Sequence, residues 1–252
     1  MNQTQEAMTR SLARSCLYRF FSEFFLYPKE GAFSKNFEEA FQASGALGQP
    51  AGLQETLAKA AGCPREITDL RSDYALVFGY TIGKACPPYE TEWGTTHIFN
   101  QTQELADISG FYRAWGLGIS DQAHERLDHL SVELEFMSYV ALKEAYALDG
   151  GQEENLDVCR QVQAKFLSEH LGTWVPAFMC RLESLAVESS FYRFLAQALS
   201  KFLAWEVEQM GLDVVPLKSA EPSRPGCGVE SPAGGCKEDC GGLKNISEEG
   251  GA

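Results

Sequence analysis

The chain has 252 residues, of which 44% are apolar, so it is long enough to bury a substantial core. Its formal net charge of −14 argues against sequence-independent nucleic-acid binding, which depends on Lys and Arg replacing counterions on phosphates. No apolar run is long enough to span a bilayer and the first residues lack a secretion-signal pattern, so we expect a cytoplasmic protein without stable membrane insertion.

Apolar residues recur at helical spacing from residue 8 to residue 211. The first predicted helix ends at Pro28, because proline cannot continue a helix. Shorter helical patterns follow at 33–43, 53–61 and 67–78. This spacing predicts that the N-terminal part of the chain consists of packed helices.

The helical pattern stops at residues 79–94, where two consecutive prolines favour an extended backbone. A helix over 105–115 follows and is closed by Gly116. Asp128 is the predicted N-cap of a long helix that is apolar on two sides. We therefore expect that helix to lie centrally.

Three further helices are predicted at 156–171, 174–186 and 191–210, with Gly172 and Gly211 as helix stops. No alternating strand pattern occurs along the chain. The sequence predicts an all-α fold, a single-domain helical bundle of about nine or ten helices over residues 1–212.

Residues 213–252 contain 8 Gly and 4 Pro and no large aromatic residue, which predicts a flexible tail. This tail contains Cys227, Cys236 and Cys240, which are candidate ligands for zinc or part of an iron–sulfur cluster. An alternative function is therefore a metal or iron–sulfur carrier that acts through these cysteines. The five cysteines outside the tail are expected to be reduced thiols in or near the core.

The common catalytic and cofactor-binding motifs are missing from the sequence, which has no HExxH, GxSxG or CxxC motif and no complete phosphate-binding loop. We therefore expect a protein that is not an enzyme and that binds no cofactor. Among the histidines, His170 fits a residue at a helix C-terminus, where the helix dipole favours a cation.

The segment CPPYETEWG at 86–94 is a candidate binding loop. Pro87 and Pro88 would hold Tyr89 and Trp93 as exposed aromatic side chains on a rigid backbone, beside the acidic Glu90 and Glu92. The alternative interpretation is a structural crossover whose aromatic side chains fill the bundle.

The segment HERLDHLSVELEFM at 124–137 is the second candidate part of the site. Asp128 and His129 stand at the start of the long helix. A further alternative function is a cofactor-handling enzyme that uses these two residues as an acid–base pair. Glu133 and Glu135 face different sides of that helix, so one can be solvated while the other points toward a groove.

These segments together resemble the TorD/DmsD family of cytoplasmic redox-enzyme maturation chaperones. The resemblance rests on motifs that occur in the family's order: YRFFSEFFLYP, DYALVFG, CPPYETEWG, FYRAWGL, ERLDHLSVELEFM, HLGTWVPAF and FYRFLAQAL. The form PPYETEWG looks most like the chaperones of type II dimethyl-sulfoxide-reductase-family molybdoenzymes, such as ethylbenzene, dimethylsulfide, selenate or chlorate oxidoreductases. Leu127 departs from the family, which often has proline before the Asp-His pair.

The resemblance implies an all-helical chaperone that binds the twin-arginine signal peptide of an apo-molybdoenzyme catalytic subunit and delays export until the molybdenum cofactor is inserted. A receptor for two guanidinium groups and an apolar stretch needs carboxylates beside an apolar groove. The predicted peptide-binding residues are Pro87, Pro88, Tyr89, Glu90, Glu92, Trp93, Asp128, His129, Glu133 and Met137. The sequence leaves open the client enzyme and the choice between monomer and dimer.

Overall fold

A computed structural model describes residues 2–29, 33–48, 50–63, 66–79, 85–94, 98–119, 125–188 and 190–218. Within these residues the chain forms nine α-helices, one π-helical turn and one 3-10 turn, and no strand. The α-helices are α1 Gln3–Phe24, α2 Phe33–Ala46, α3 Leu53–Gly62, α4 Ile67–Phe78, α5 Ile98–Ala114, α6 Leu130–Asp149, α7 Glu153–Phe166, α8 Gly172–Leu185 and α9 Phe191–Gln209. The predicted all-α bundle is confirmed.

The long helices α1 and α6 pack against each other in the middle of the bundle. Their facing residues are fully buried, among them Leu17 and Phe21 on α1 and Leu134 and Met137 on α6. Because α6 is apolar on two sides, other helices can cover it all round. None of the helices among the described residues is long and apolar enough to cross a membrane.

A buried ionic network fixes the relative positions of four helices. The Arg14 guanidinium on α1 binds both carboxylate oxygens of Glu206 at 2.7 Å and one oxygen of Glu144 at 2.8 Å. It also donates to Gln163 on α7 at 2.7 Å, and the Tyr18 hydroxyl donates to Glu206 at 2.9 Å. Each charge in this part of the core therefore has a partner, as burial requires.

The predicted helix stop at Gly172 is wrong. A π-helical turn over Leu167–Leu171 joins α7 directly to α8, and Gly172 has helical backbone angles. A Cβ atom on Gly172 would lie 2.6 Å from the carbonyl oxygen of Leu167. Glycine is therefore used here for a close backbone approach inside a helix rather than for termination.

The described beginning of the predicted tail lies against the bundle. The Leu217 backbone N–H donates to the carbonyl of Thr173 at 2.9 Å, and the Leu217 side chain packs on the core. The division of the chain at residue 213 stays a prediction, and Cys227, Cys236 and Cys240 lie outside the described residues. Of the other cysteines, Cys180 is exposed, because it faces outward on α8, so its expected place near the core is wrong.

Candidate functional site

The side chain of Trp93 holds the two ends of the loop 85–94 together. The Trp93 indole N–H donates to the carbonyl of Pro87 at 2.9 Å, and its ring packs edge-on against Phe178 with the ring centroids 5.7 Å apart. Trp93 is only 2% exposed, and both prolines are buried. The expected exposure of Trp93 is wrong, because the ring fills space in the bundle and its polar atom is satisfied within the loop.

This loop pairs with the segment that leads into α6. The Glu90 N–H donates to the carbonyl of Asp128, and the Leu130 N–H donates to the carbonyl of Pro88, both at 2.9 Å. Tyr89 and His129 thereby form an isolated antiparallel bridge. Two segments about 40 residues apart in the sequence are thus held together by backbone hydrogen bonds.

The Asp128 carboxylate is fully buried and anchors the same junction. It accepts hydrogen bonds from the Thr91 hydroxyl at 2.8 Å and from the Thr91 N–H at 3.2 Å, and it pairs with Arg126 at 2.7 Å. The predicted helix cap at Asp128 is wrong, because His129 is the N-cap of α6 and its Nδ1 accepts from the Ser131 N–H. Asp128 instead ties the loop to α6.

Arg126 neutralises part of the surface beside this junction. Its guanidinium lies over the Tyr89 ring, 4.7 Å from the centroid, and it pairs with Glu92 at 3.1 Å. The Tyr89 hydroxyl donates to Glu125 at 2.8 Å, and burial, followed by this bond, raises the pKa of that hydroxyl. Glu92 and Asp128 therefore already share a cation.

Glu90 turns inward to a histidine on the π-helical turn. His170 Nδ1 lies 3.1 Å from each Glu90 oxygen, and the imidazole packs against the rings of Phe111 and Phe166. Burial alone would lower the pKa of His170, but the hydrogen bond and charge of Glu90 outweigh it and raise that pKa. The interpretation of His170 as a helix C-terminal residue is wrong, because the helix continues through it.

Glu133 lies behind Glu90 with no exposed surface. One of its oxygens accepts from the Trp174 indole N–H at 3.1 Å, and the other makes no hydrogen bond within the described part of the chain. Burial, followed by the charge of Glu90, raises the pKa of Glu133 well above its usual range. Met137, one turn further along α6, is fully buried, whereas Glu135 is exposed as expected for the opposite face.

A groove of about 840 Å³ opens in front of Glu90 and His170. Neither Lys nor Arg is among the described residues that line it. Its lining includes four carboxylates from three separate elements: Glu90, Glu104, Asp107 and Glu169. Burial, followed by the charge of Glu90, raises the pKa of Glu104 to about 7. Trp93, Trp174 and Leu217 supply apolar surface to the same groove.

Sequence reasoning missed Glu104, Asp107 and Glu169 as site residues. Glu104 and Asp107 share one face of α5 at a spacing of three residues, but such acidic pairs are common on solvated helices. Glu169 lies more than 60 residues further along the chain. The two other histidines of the sequence, His97 and His124, lie outside the described residues.

The chain is similar to proteins concerned with reductase assembly. The profile of the family described as nitrate reductase delta subunit matches residues 44–180, more than half of the chain. A chaperone protein TorD from Psychrobacter is 25% identical over 81% of this chain and 94% of its own length. A selenate reductase assembly chaperone protein from Thauera selenatis is 27% identical over 77% of this chain and 91% of its own length.

A perchlorate reductase assembly chaperone protein from Dechloromonas aromatica is 30% identical over 44% of this chain and 48% of its own length. The two longer alignments extend over most of each relative, so the similarity covers whole chains rather than one motif.

Proposed function

Because the chain belongs to the nitrate reductase delta subunit family, the family of the TorD-type redox-enzyme maturation chaperones, we propose that it binds the twin-arginine signal peptide of an apo-molybdoenzyme. In this proposal it acts in the cytoplasm, assists insertion of the molybdenum cofactor, and releases the catalytic subunit for export. Its relatives are named chaperones, and the proposed role involves binding rather than catalysis.

The single observation that carries this proposal is the acidic groove. Glu104, Asp107 and Glu169 point into it without a guanidinium partner among the described residues that line it. Guanidinium groups bind carboxylates through paired, charge-assisted hydrogen bonds, which are about twice as strong as neutral ones. The partly exposed Leu217 lines the same groove beside the edges of the nearly buried Trp93 and Trp174, so an apolar stretch next to the arginines can contact Leu217.

The residues of the loop and of α6 then divide into three groups. Tyr89 and Glu92 are partly exposed and can contact a peptide directly at the edge of the junction. Glu90 and Trp93 are largely buried, but their edges line the groove itself. The remaining candidates are buried and would position the groove wall from behind: Pro87, Pro88, Asp128, His129, Glu133 and Met137. The peptide contacts of all these residues stay a prediction.

The client is proposed to be a reductase of the type II dimethyl-sulfoxide-reductase family. Among the relatives are proteins named as assembly chaperones of selenate, perchlorate and chlorate reductases. The client's apo catalytic subunit would be the partner of this chain, through its signal peptide.

The test is titration calorimetry with a synthetic peptide that carries two consecutive arginines followed by an apolar stretch, measured in the presence of a chelator. We expect binding that weakens when lysines replace both arginines, because an ammonium cannot form the paired hydrogen bonds. We also expect Glu104→Gln combined with Asp107→Asn to weaken binding by about tenfold, since two charge-assisted contacts are lost.

The matched control is Glu153→Gln combined with Glu154→Gln in the exposed first turn of α7. At pH 8, above the raised pKa of Glu104, both double variants remove a similar charge. This control should leave the affinity nearly unchanged, because charges beyond about 10 Å are screened at ordinary ionic strength. Equal affinity for the twin-arginine, twin-lysine and scrambled peptides would refute the proposed function.

A further inference from the structure

One corner of the acidic groove brings together three side chains that are typical metal ligands. Asp107 on α5 meets Glu169 and His170 on the π-helical turn, and one ligand atom from each lies within 4.8 Å of the other two. π-helical turns inside α-helices frequently occur at functional sites. Here the turn presents two consecutive side chains to the same corner.

The histidine is held with its second nitrogen facing that corner. His170 is 3% exposed, and its Nε2 makes no hydrogen bond to any described residue, although it lies 3.3 Å from an Asp107 oxygen. The two aromatic rings packed against the imidazole fix its plane. A buried nitrogen that lacks a hydrogen-bond acceptor or donor is a position that a ligand can satisfy.

Glu90 orients the same imidazole from behind. Each of its carboxylate oxygens lies 3.1 Å from His170 Nδ1. When a cation displaces the proton of Nε2, Glu90 can hold the remaining proton on Nδ1, and the lone pair of Nε2 then faces the groove. A carboxylate behind a histidine is the usual outer partner of a metal-bound imidazole, because it fixes the tautomer and raises ligand basicity.

The distance between two of the proposed ligand atoms fits a small divalent ion. Zinc bonds of about 2.0–2.2 Å place two tetrahedral ligand atoms roughly 3.4 Å apart. The distance of 3.3 Å between His170 Nε2 and Asp107 Oδ2 is close to that value. Glu169 has a half-exposed side chain whose present partner is Lys165, 3.7 Å away, so its carboxylate can turn to the ion at little cost.

We propose that His170, Asp107 and Glu169 form a binding site for a first-row divalent cation, with Zn²⁺ as the best fit and Glu90 as the residue that positions the imidazole. One nitrogen and two carboxylate ligands suit zinc and leave a coordination position open to the groove. This proposal does not depend on peptide binding. A bound cation would share carboxylates with the proposed peptide site, which is why the peptide titration contains a chelator.

The experiment is Zn²⁺ titration of the full chain by calorimetry, with Cys227, Cys236 and Cys240 replaced by serine so that thiolates contribute no binding. We expect one ion per chain. Asp107→Asn and Glu169→Gln should each weaken binding by about tenfold or more, since each removes a ligand. Both side chains are about half exposed, so both variants should fold. The side-chain nitrogen signal of His170 should shift on zinc addition.

Glu104→Gln, compared at pH 8 because the pKa of Glu104 is raised to about 7, is the matched control. It removes a negative charge from the same groove without removing a ligand of the proposed site. It should change the zinc affinity by less than about threefold, because a partly exposed charge that does not bind the ion interacts with it only weakly in water. Three results would overturn the proposal: no stoichiometric zinc binding, equal weakening by Glu104→Gln and the two ligand variants, or a His170 signal that zinc leaves in place. In the last case, an imidazolium held between Glu90 and Asp107 would explain the geometry.

Discussion

Replacing Arg14 with methionine should destabilise the bundle strongly. Methionine keeps the length and the helix propensity of the side chain but removes its charge. Among the described residues, Glu206, which has no exposed surface, would retain only the Tyr18 hydroxyl as a hydrogen-bond donor, and Glu144 would lose its closest cation. Breaking a buried ion pair from one side costs about 3–5 kcal/mol, because the remaining charge is buried without compensation.

The control lies on the same helix. Arg19 pairs with Glu23 at 3.1 Å, but their side chains are 75% and 40% exposed. Arg19→Met should therefore cost no more than about 0.5 kcal/mol, the usual value for an exposed pair. Urea denaturation measures the free energy of unfolding of both variants. The Tm of Arg14→Met should fall by roughly 6–20 °C, since each kcal/mol shifts the Tm by about 2–4 °C in a chain of this size.

A double variant separates the cost of leaving the Glu206 charge unpaired from the cost of lost side-chain packing. Arg14→Met combined with Glu206→Leu removes both charges, and it should be more stable than Arg14→Met alone. Two results would contradict this prediction: a loss of unfolding free energy for Arg14→Met no larger than for Arg19→Met, or a loss in the double variant equal to the sum of the two single losses.

Three other predictions concern the site and its supports. Glu133→Gln keeps an acceptor for the buried indole of Trp174. Because the pKa of Glu133 is raised in the folded protein, the wild-type free energy of unfolding falls as pH rises above the ordinary carboxyl pKa. The free energy of unfolding of the variant minus that of the wild type, measured in urea, should therefore grow by up to about 1.4 kcal/mol per pH unit, and a constant difference would contradict this. Asp128→Ala should cost about 1–3 kcal/mol and speed hydrogen exchange of the Thr91 amide, whereas unchanged exchange would show that the loop does not need this carboxylate. Gly172→Ala should destabilise the protein by about 1–3 kcal/mol, because its Cβ would lie 2.6 Å from a backbone carbonyl oxygen. Its control, Gly110→Ala, has open space on α5 and should stabilise the protein by about 0.5–1 kcal/mol. Thermal unfolding should lower the midpoint for the first variant and raise it for the second.

Local chemistry predicted much of this structure correctly. The helices of the bundle follow from apolar spacing, and Pro87 and Pro88 predict the break between α4 and α5. Gly116 and Gly211 close their helices in left-handed conformations, with φ of 69° and 62°. The opposite faces of Glu133 and Glu135 follow from helical geometry alone.

Predictions that required knowledge of neighbouring elements failed. Trp93 could be placed on a loop but not assigned to the interior, because its partners Pro87 and Phe178 come together only through the fold. Asp128 has the right residue type for a helix cap, yet Thr91 and Arg126 compete for its carboxylate and His129 takes the cap. A propensity describes the options of a residue, and tertiary contacts select among them.

The sequence by itself determined the helices, the loop at 86–94 and the excess of negative charge. Only the tertiary structure decided where that charge is concentrated, because α5 and the π-helical turn meet through packing rather than through any local pattern. Glu104, Asp107 and Glu169 look like ordinary solvated residues along the chain. They become a groove because burial of the apolar faces of their helices brings their polar faces together around His170.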